Sequence, residues 1–198
     1  EARQLYQQTR YEEALAVLSK AGQQGAEADA LAGQCYYMRG EFKRASEYFE
    51  RAAAAEPHNS DYHLWLGRAY GRRAENSSFV TAPSYARKAR RSFEKAFELD
   101  PNSTAAAGDL FDYYLEAPGM LGGGLDKARA LAEKAKGQDE AEYHFRLARI
   151  AEKQKDWAQA EAEYRRALAL APQQAGRAVD LARFLSERGR FEESDAMF

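Results

Sequence analysis

The chain has 198 residues, with 29 Lys and Arg against 31 Asp and Glu for a formal net charge of −2, and 45% of its residues are apolar. That is enough apolar material to bury a core, so general disorder is excluded, and near-zero net charge removes the basic excess by which nucleic-acid binders usually announce themselves. A single Cys35 rules out an internal disulfide, three histidines leave little material for a metal site, and no run approaches the roughly 18 apolar residues of a membrane helix.

From the N-terminus, Tyr11, Ala14 and Leu18 read as one amphipathic helix, with only Glu1 to Gln8 left for an element before it. Leu31, Ala32, Cys35 and Tyr36 then recur at three- and four-residue steps until Arg39-Gly40-Glu41 interrupts them. A second helix resumes with Phe42, Ala45, Tyr48, Phe49 and Ala52, and Pro57 follows where it must stop. The pair then repeats. Gly33-Gln34-Cys35-Tyr36 aligns with Gly67-Arg68-Ala69-Tyr70 at an offset of 34, and Pro57 and Pro101, each after an Ala-rich helix, are 44 apart. Ala52, Ala96, Ala135 and Ala167 follow at steps of 44, 39 and 32, so a unit of about 34 residues recurs with about ten residues inserted once and about five once.

Small residues fall where paired helices would cross: Gly33 and Gly67 on first helices, Ala45, Ala128 and Ala160 on second ones. Phe49, Phe93 and Tyr164 would fill the adjoining space between neighbouring units. Such a hairpin cannot cover its own apolar face, so the units must stack.

This pattern resembles the tetratricopeptide repeat (TPR) family. The family spacing is matched by Leu66, Gly67, Tyr70, Ala89, Phe93, Ala96 and Pro101, and again by Leu147, Ala160, Tyr164, Ala167 and Pro172, although Ala148 and Ala151 replace the usual Gly and Tyr. The resemblance implies an all-α, TPR-type right-handed superhelical solenoid of stacked helix-turn-helix hairpins over 1–198, with units at about 1–25 (partial), 26–59, 60–103, 104–140, 141–174 and 175–198 (partial). Units 60–103 and 104–140 hold the insertions. Neither end carries an evident polar capping helix, so the ends are expected to self-associate or to be continued by further residues. Absence of a leader is then uninformative about compartment: the cytoplasm, or the periplasm if a signal peptide was removed, both stay open.

The insertions, Arg73 to Ser84 and Glu116 to Gly124, both fall at the turn between first and second helices. They read either as binding loops or as extended helices and tolerated drift, with Met120 and Leu121 suited to an apolar contact. Gly119 to Gly124 is no phosphate loop, because Leu125-Asp126 stands where Lys and Ser/Thr are needed and no strand precedes it. His58 and His63, five apart, do not share a helix face, and isolated His144 reads as structural. Asn76-Ser77-Ser78 is a glycosylation sequon with no other secretory sign. No catalytic, cofactor or metal constellation is expected. The basic run Arg87-Lys88-Ala89-Arg90-Arg91 maps, around a buried Ala89, to an outer solvated helix face, which argues against nucleic acid as the partner.

In the family the first helices line a concave groove that receives a peptide. Carried onto this chain, the groove positions include Leu31, Tyr37 and Met38, then Leu64, Trp65, Arg68 and Arg72, then Asp112, and finally Arg146 and Arg149. The resemblance thus implies a surface that is apolar and aromatic in units two and three, acidic in unit four and basic in unit five. Chaperone-tail clamps of the family need Lys, Asn and Arg where this chain has Ala30, Gln34, Trp65, Ala105 and Asp109, so a terminal carboxylate is not the expected ligand. The expected function is a non-enzymatic scaffold binding a protein or peptide segment. The alternatives are a self-associating structural module and, with less support, nucleic-acid binding through the basic run.

Overall fold

The computed structural model describes residues 1–20 and 25–197. The end of the first expected unit, 21–24, and Phe198 lie outside them. The described residues form helices and no strand. They run as successive pairs: Ala2–Gln7 (α1) and Tyr11–Lys20 (α2), Ala26–Met38 (α3) and Phe42–Ala55 (α4), Ser60–Glu75 (α5) and Ala82–Leu99 (α6). Then follow Thr104–Glu116 (α7) and Leu125–Ala135 (α8), Glu140–Gln154 (α9) and Trp157–Leu170 (α10), Ala175–Glu187 (α11) and Phe191–Asp195 (α12). Backbone contacts divide the chain into two compact units, Glu1–Leu110 and Phe111–Phe198, with the boundary inside α7.

In the first unit α3 packs on α4, α4 on α5 and α5 on α6, so each hairpin is covered by the next. The alanines set the spacing. Ala45, Ala52, Ala89 and Ala96 are fully buried. Opposite them Gly33 and Gly67 admit an aromatic ring: a Cβ at Gly33 would stand 2.8 Å from the Phe49 ring, and one at Gly67 would stand 2.5 Å from that of Phe93. The rings therefore occupy the crossing inside their own hairpin, and Phe49 also reaches the next one, stacking on Trp65 at 5.8 Å.

The second unit repeats the plan, with α8 on α9, α9 on α10 and α10 on α11. Its core gathers Ala148, Ala151, Ala160 and Tyr164 with Leu181, Phe184 and Leu185 of α11. The starts of α9 and α10 are capped by Asp139 and Asp156, whose carboxylates accept from the backbone N–H of Glu142 (2.9 Å) and Gln159 (3.1 Å).

The two insertions are absorbed differently. In the first, α5 and α6 lengthen to 16 and 18 residues, against 13 and 14 in α3 and α4, so the inserted chain is mostly helix. Tyr85, in the added turn of α6, stacks on Tyr70 at 6.2 Å, and the Arg73 guanidinium lies 4.1 Å over the Tyr85 ring. What remains is a short turn with Phe79 and Val80 at its tip, 90% and 70% exposed.

The second insertion folds into a single 3-10 turn, Gly119–Leu121. It is tied back on α7: the Tyr113 hydroxyl donates to the Leu121 carbonyl at 3.0 Å and the Gly124 N–H to that of Tyr114 at 2.8 Å. Gly122 and Gly124 take φ of 88° and 148°, and a Cβ at Gly123 would fall 1.9 Å from the Ala117 carbonyl oxygen, so the glycine run serves the reversal. Met120 is 87% exposed and holds nothing together. Met120→Ser is accordingly expected to leave stability within about 0.5 kcal/mol, whereas Tyr113→Phe should cost about 1 kcal/mol by removing the tie; urea denaturation of both variants checks the contrast.

Candidate functional site

On the α3–α5 face of the first unit four aromatic rings meet. Tyr37, in the last turn of α3, lies edge-on to Trp65 of α5 (5.5 Å) and to Phe42 at the start of α4 (5.4 Å), while Trp65 stacks on Phe49. The Arg68 guanidinium sits 5.0 Å over the Trp65 ring and its Nε is 2.5 Å from the Asp109 carboxylate, so its charge is already matched. One turn on, Arg72 stands 5.1 Å over the Phe42 ring and pairs with Glu75 on the surface. Met38 is half exposed beside Tyr37. Burial raises the Tyr37 hydroxyl above the usual phenol range, with Arg72 and Arg68 opposing, so the ring stays neutral at any physiological pH.

Not every groove position of the repeat pattern offers a side chain here. Leu31 and Leu64 are 6% and 3% exposed. Leu31 packs with Ala2, Leu18 and Ala32, because α1 and α2 cover that side of α3. Both leucines are buried and offer a ligand little surface. Phe42, absent from the sequence-derived set, joins the cluster instead. Its signal was available: it is the first apolar residue after Arg39-Gly40-Glu41, a turn so tight that the start of α4 is held beside the end of α3.

In the second unit Arg149 lies 3.3 Å from Asp112 and 3.7 Å from Glu116, and the Lys153 ammonium is 2.5 Å from Glu116. Arg149, Lys153 and Arg183 together with Glu116, Glu152 and Asp180 line an open depression of about 420 Å³. Burial raises the Asp180 carboxyl above the ordinary carboxylate range, with Arg177 and Arg183 opposing. Three cations face three carboxylates, so this surface satisfies itself. Arg146 is not on it: 4% exposed, it donates from Nε to Glu142 (2.8 Å) and from Nη1 to the Leu131 carbonyl (3.0 Å), with the Phe111 ring 5.5 Å away.

The remaining reactive groups are structural. His144 is buried, with Nδ1 2.6 Å from the Glu163 carboxylate. Cys35 is fully buried, and that burial pushes its thiol up to about 11, which leaves it protonated at neutral pH. Among the described residues no group of His, Cys, Asp and Glu could hold a metal ion, and no helix is long and apolar enough to cross a membrane. In the basic run Arg87, Lys88 and Arg91 are exposed, while Arg90 folds back to within 3.8 Å of Glu94.

Antiparallel helical hairpins of about 34 residues, spaced by buried Ala and Gly and stacked one on the next, define a helical-repeat protein. Two family models, each described as tetratricopeptide repeat, match residues 5–69 and 141–174, which together make up half of the chain. The chain belongs to the tetratricopeptide repeat family, whose members are generally non-enzymatic and mediate protein–protein interactions. No curated protein matches it in sequence. Similar solved structures include a thermophilic TPR protein of Thermus thermophilus, 23% identical, covering 93% of this chain and 95% of that one with a TM-score of 0.70. The human IFIT1 dimer with PPP-AAAA is 19% identical and covers all of this chain but 52% of its own, with a TM-score of 0.69. YrrB, described as a TPR protein with an unusual peptide-binding site, is 22% identical over 88% of this chain and 84% of that one, with a TM-score of 0.61. At these identities the likeness is one of fold.

Proposed function

We propose that the protein is a non-enzymatic scaffold that receives a peptide or protein segment on the α3–α5 face, anchored at Trp65 with Tyr37, Phe42 and Met38 around it. The observation that carries this reading is the packing of Trp65: its ring is held by Tyr37 and Phe49 yet remains partly open to solvent, so a ligand meets a rigid aromatic surface. Aromatic and Met side chains of this kind bury large areas on binding at little cost in ordering. Arg72, paired among the described residues with the exposed Glu75 of its own helix alone, adds a cation that a ligand carboxylate can recruit. The preferred segment therefore joins an apolar or aromatic side chain to a nearby acidic one. The name under which YrrB was solved supports peptide binding within this fold. In the second unit Asp112, Arg149 and Lys153 already pair among themselves and with Glu116, so that surface offers a ligand little unmatched charge.

Truncating Trp65 to Ala is expected to weaken the native partner by about 2 kcal/mol or more. Arg72→Glu should weaken it less and reduce its salt dependence, while Arg91→Glu on α6 should do neither. Titration of the partner against the folded variants decides this, and dependence on Arg91 with indifference to Trp65 would move the working surface to α6. Self-association has its own observation, the exposure of Phe191 (62%) and Val179 (50%) on the last hairpin. Light scattering across concentration separates it from a monomeric adaptor.

A further inference from the structure

The first unit has a further surface, an open cavity that shares Phe42 with the α3–α5 face but neither Trp65 nor Tyr37. Where the turn between α3 and α4 meets the turn between α5 and α6, an open cavity of about 650 Å³ is lined by Lys43, Arg44, Arg73, Asn76, Ser77 and Tyr85, with Phe42 at its floor. We propose that this cavity takes an acidic segment of a protein partner, a carboxylate or phosphate entering beside Arg73 and Lys43 and an adjoining apolar side chain settling on Phe79 and Val80.

The charge comes first. Arg73 donates to the Ser46 hydroxyl at 2.7 Å and to the Tyr85 hydroxyl at 2.6 Å, with the Tyr85 ring stacked against its guanidinium. Both acceptors are neutral, and Arg73 has no carboxylate partner among the described residues, in contrast to Arg68, which is matched by Asp109. An arginine uses five donors, and only two are engaged by these hydroxyls, so the fork is oriented while its charge stays uncompensated. Lys43 is exposed on the cavity wall and makes no ion pair among the described residues. Arg44 pairs with Glu41 at 2.8 Å, but that carboxylate is shared with Arg39 at 3.0 Å. Three cations thus line the cavity against one carboxylate already held by two arginines.

The wall is also preformed. Asn76 donates from its amide to the Arg72 carbonyl at 2.8 Å, the Ser77 hydroxyl donates to the Arg73 carbonyl at 2.6 Å, and the Ser78 and Thr81 hydroxyls are 3.2 Å apart. This side-chain bonding holds the turn in one shape, and a ligand therefore meets a site with little ordering left to do. The same turn carries Phe79 and Val80 outward with no protein surface over them. Uncompensated cations in the cavity and two exposed apolar side chains on the turn that helps to line it call for a ligand that is anionic at one position and apolar at a neighbouring one, which a peptide segment supplies and a free anion does not.

The test uses the full chain and three fluorescein-labelled peptides of one sequence, Leu and Asp flanking a central phosphoserine, glutamate or alanine. By anisotropy the phosphoserine peptide should bind about ten-fold or more tighter than the alanine one, with glutamate between them, as charge-assisted hydrogen bonds predict. Lys43→Glu, an exposed substitution that leaves packing intact, should abolish most of that preference, and Arg73→Lys should reduce it. Phe79→Ser should weaken all three peptides alike. Trp65→Ala should change none of them, which keeps this site separable from the α3–α5 face. Equal binding of the alanine and phosphoserine peptides, or indifference to Lys43→Glu, overturns the proposal. So does inorganic phosphate competing as tightly as the peptide binds, which makes the site one for a free anion. Retention on phosphatidylserine vesicles through Phe79 without any peptide binding also overturns it and makes the turn a lipid contact.

Discussion

Replacing Glu142 by alanine is expected to destabilise the protein by about 3 kcal/mol, the loss typical when one partner of a buried ion pair is removed. The reason is that two arginines depend on this one carboxylate. Arg146 holds it from the same helix at 2.8 Å and Arg177 reaches it from α11 at 2.5 Å, with the arginine side chains only 5% and 13% exposed. Arg177 keeps a distant Asp180 at 3.8 Å, but Arg146 is left with a backbone carbonyl and an aromatic ring. An uncompensated buried charge costs far more than the pair contributes. The double variant Glu142→Ala with Arg146→Met should therefore recover most of the loss, since an apolar side chain of similar length removes the stranded charge. Urea denaturation of the two single variants and the double one measures the coupling, and additive effects would show that the two residues act independently.

Two glycines one turn apart on α5 should respond to substitution with opposite signs. Gly67→Leu should cost roughly 3 kcal/mol, because even a Cβ there would stand 2.5 Å from the Phe93 ring, which is itself packed and cannot withdraw. Gly71 has nothing within 4 Å of the same atom, so Gly71→Ala should stabilise by about 0.5 to 1 kcal/mol through helix propensity alone. Thermal melts of the two variants test this directly. Phe93→Leu made together with Gly67→Ala should restore part of the loss, since the smaller side chain vacates the crossing. Equal behaviour of the two glycines would mean that α5 and α6 do not approach as closely as these distances require.

The stretch that carries both glycines also shows how far the sequence can be read. Gly67 sits three residues after Leu64 and three before Tyr70 on a helix of apolar periodicity, and its offset of 34 from Gly33 marks it as a crossing point in the sequence itself. Gly71 lies on the same helix without such a partner, at a position that the resemblance to the repeat family assigns to the groove. The first insertion behaves likewise. Asn76-Ser77-Ser78 and Pro83 read as loop by composition, yet the flanking residues prolong both helices because Tyr85 finds Tyr70 and Arg73 to pack on.

Periodicity, small residues at fixed offsets and turn chemistry are local properties, and they alone determine that this chain forms paired helices that must stack. They placed Ala45, Ala128 and Ala160 at closed crossings, and all three are fully buried. Which outward-reading side chains remain open is decided elsewhere, by what the neighbouring hairpin covers. Leu31 is covered by the hairpin before it, and Arg146 is drawn inside by Glu142 and the Leu131 carbonyl. Arg68 is matched by Asp109, 41 residues away. Arg73 instead donates to two hydroxyls and lies over the Tyr85 ring, with no carboxylate partner among the described residues. A groove position is a direction on a helix, whereas exposure and charge balance are sums over every element packed nearby, and those sums exist only once the hairpins are stacked.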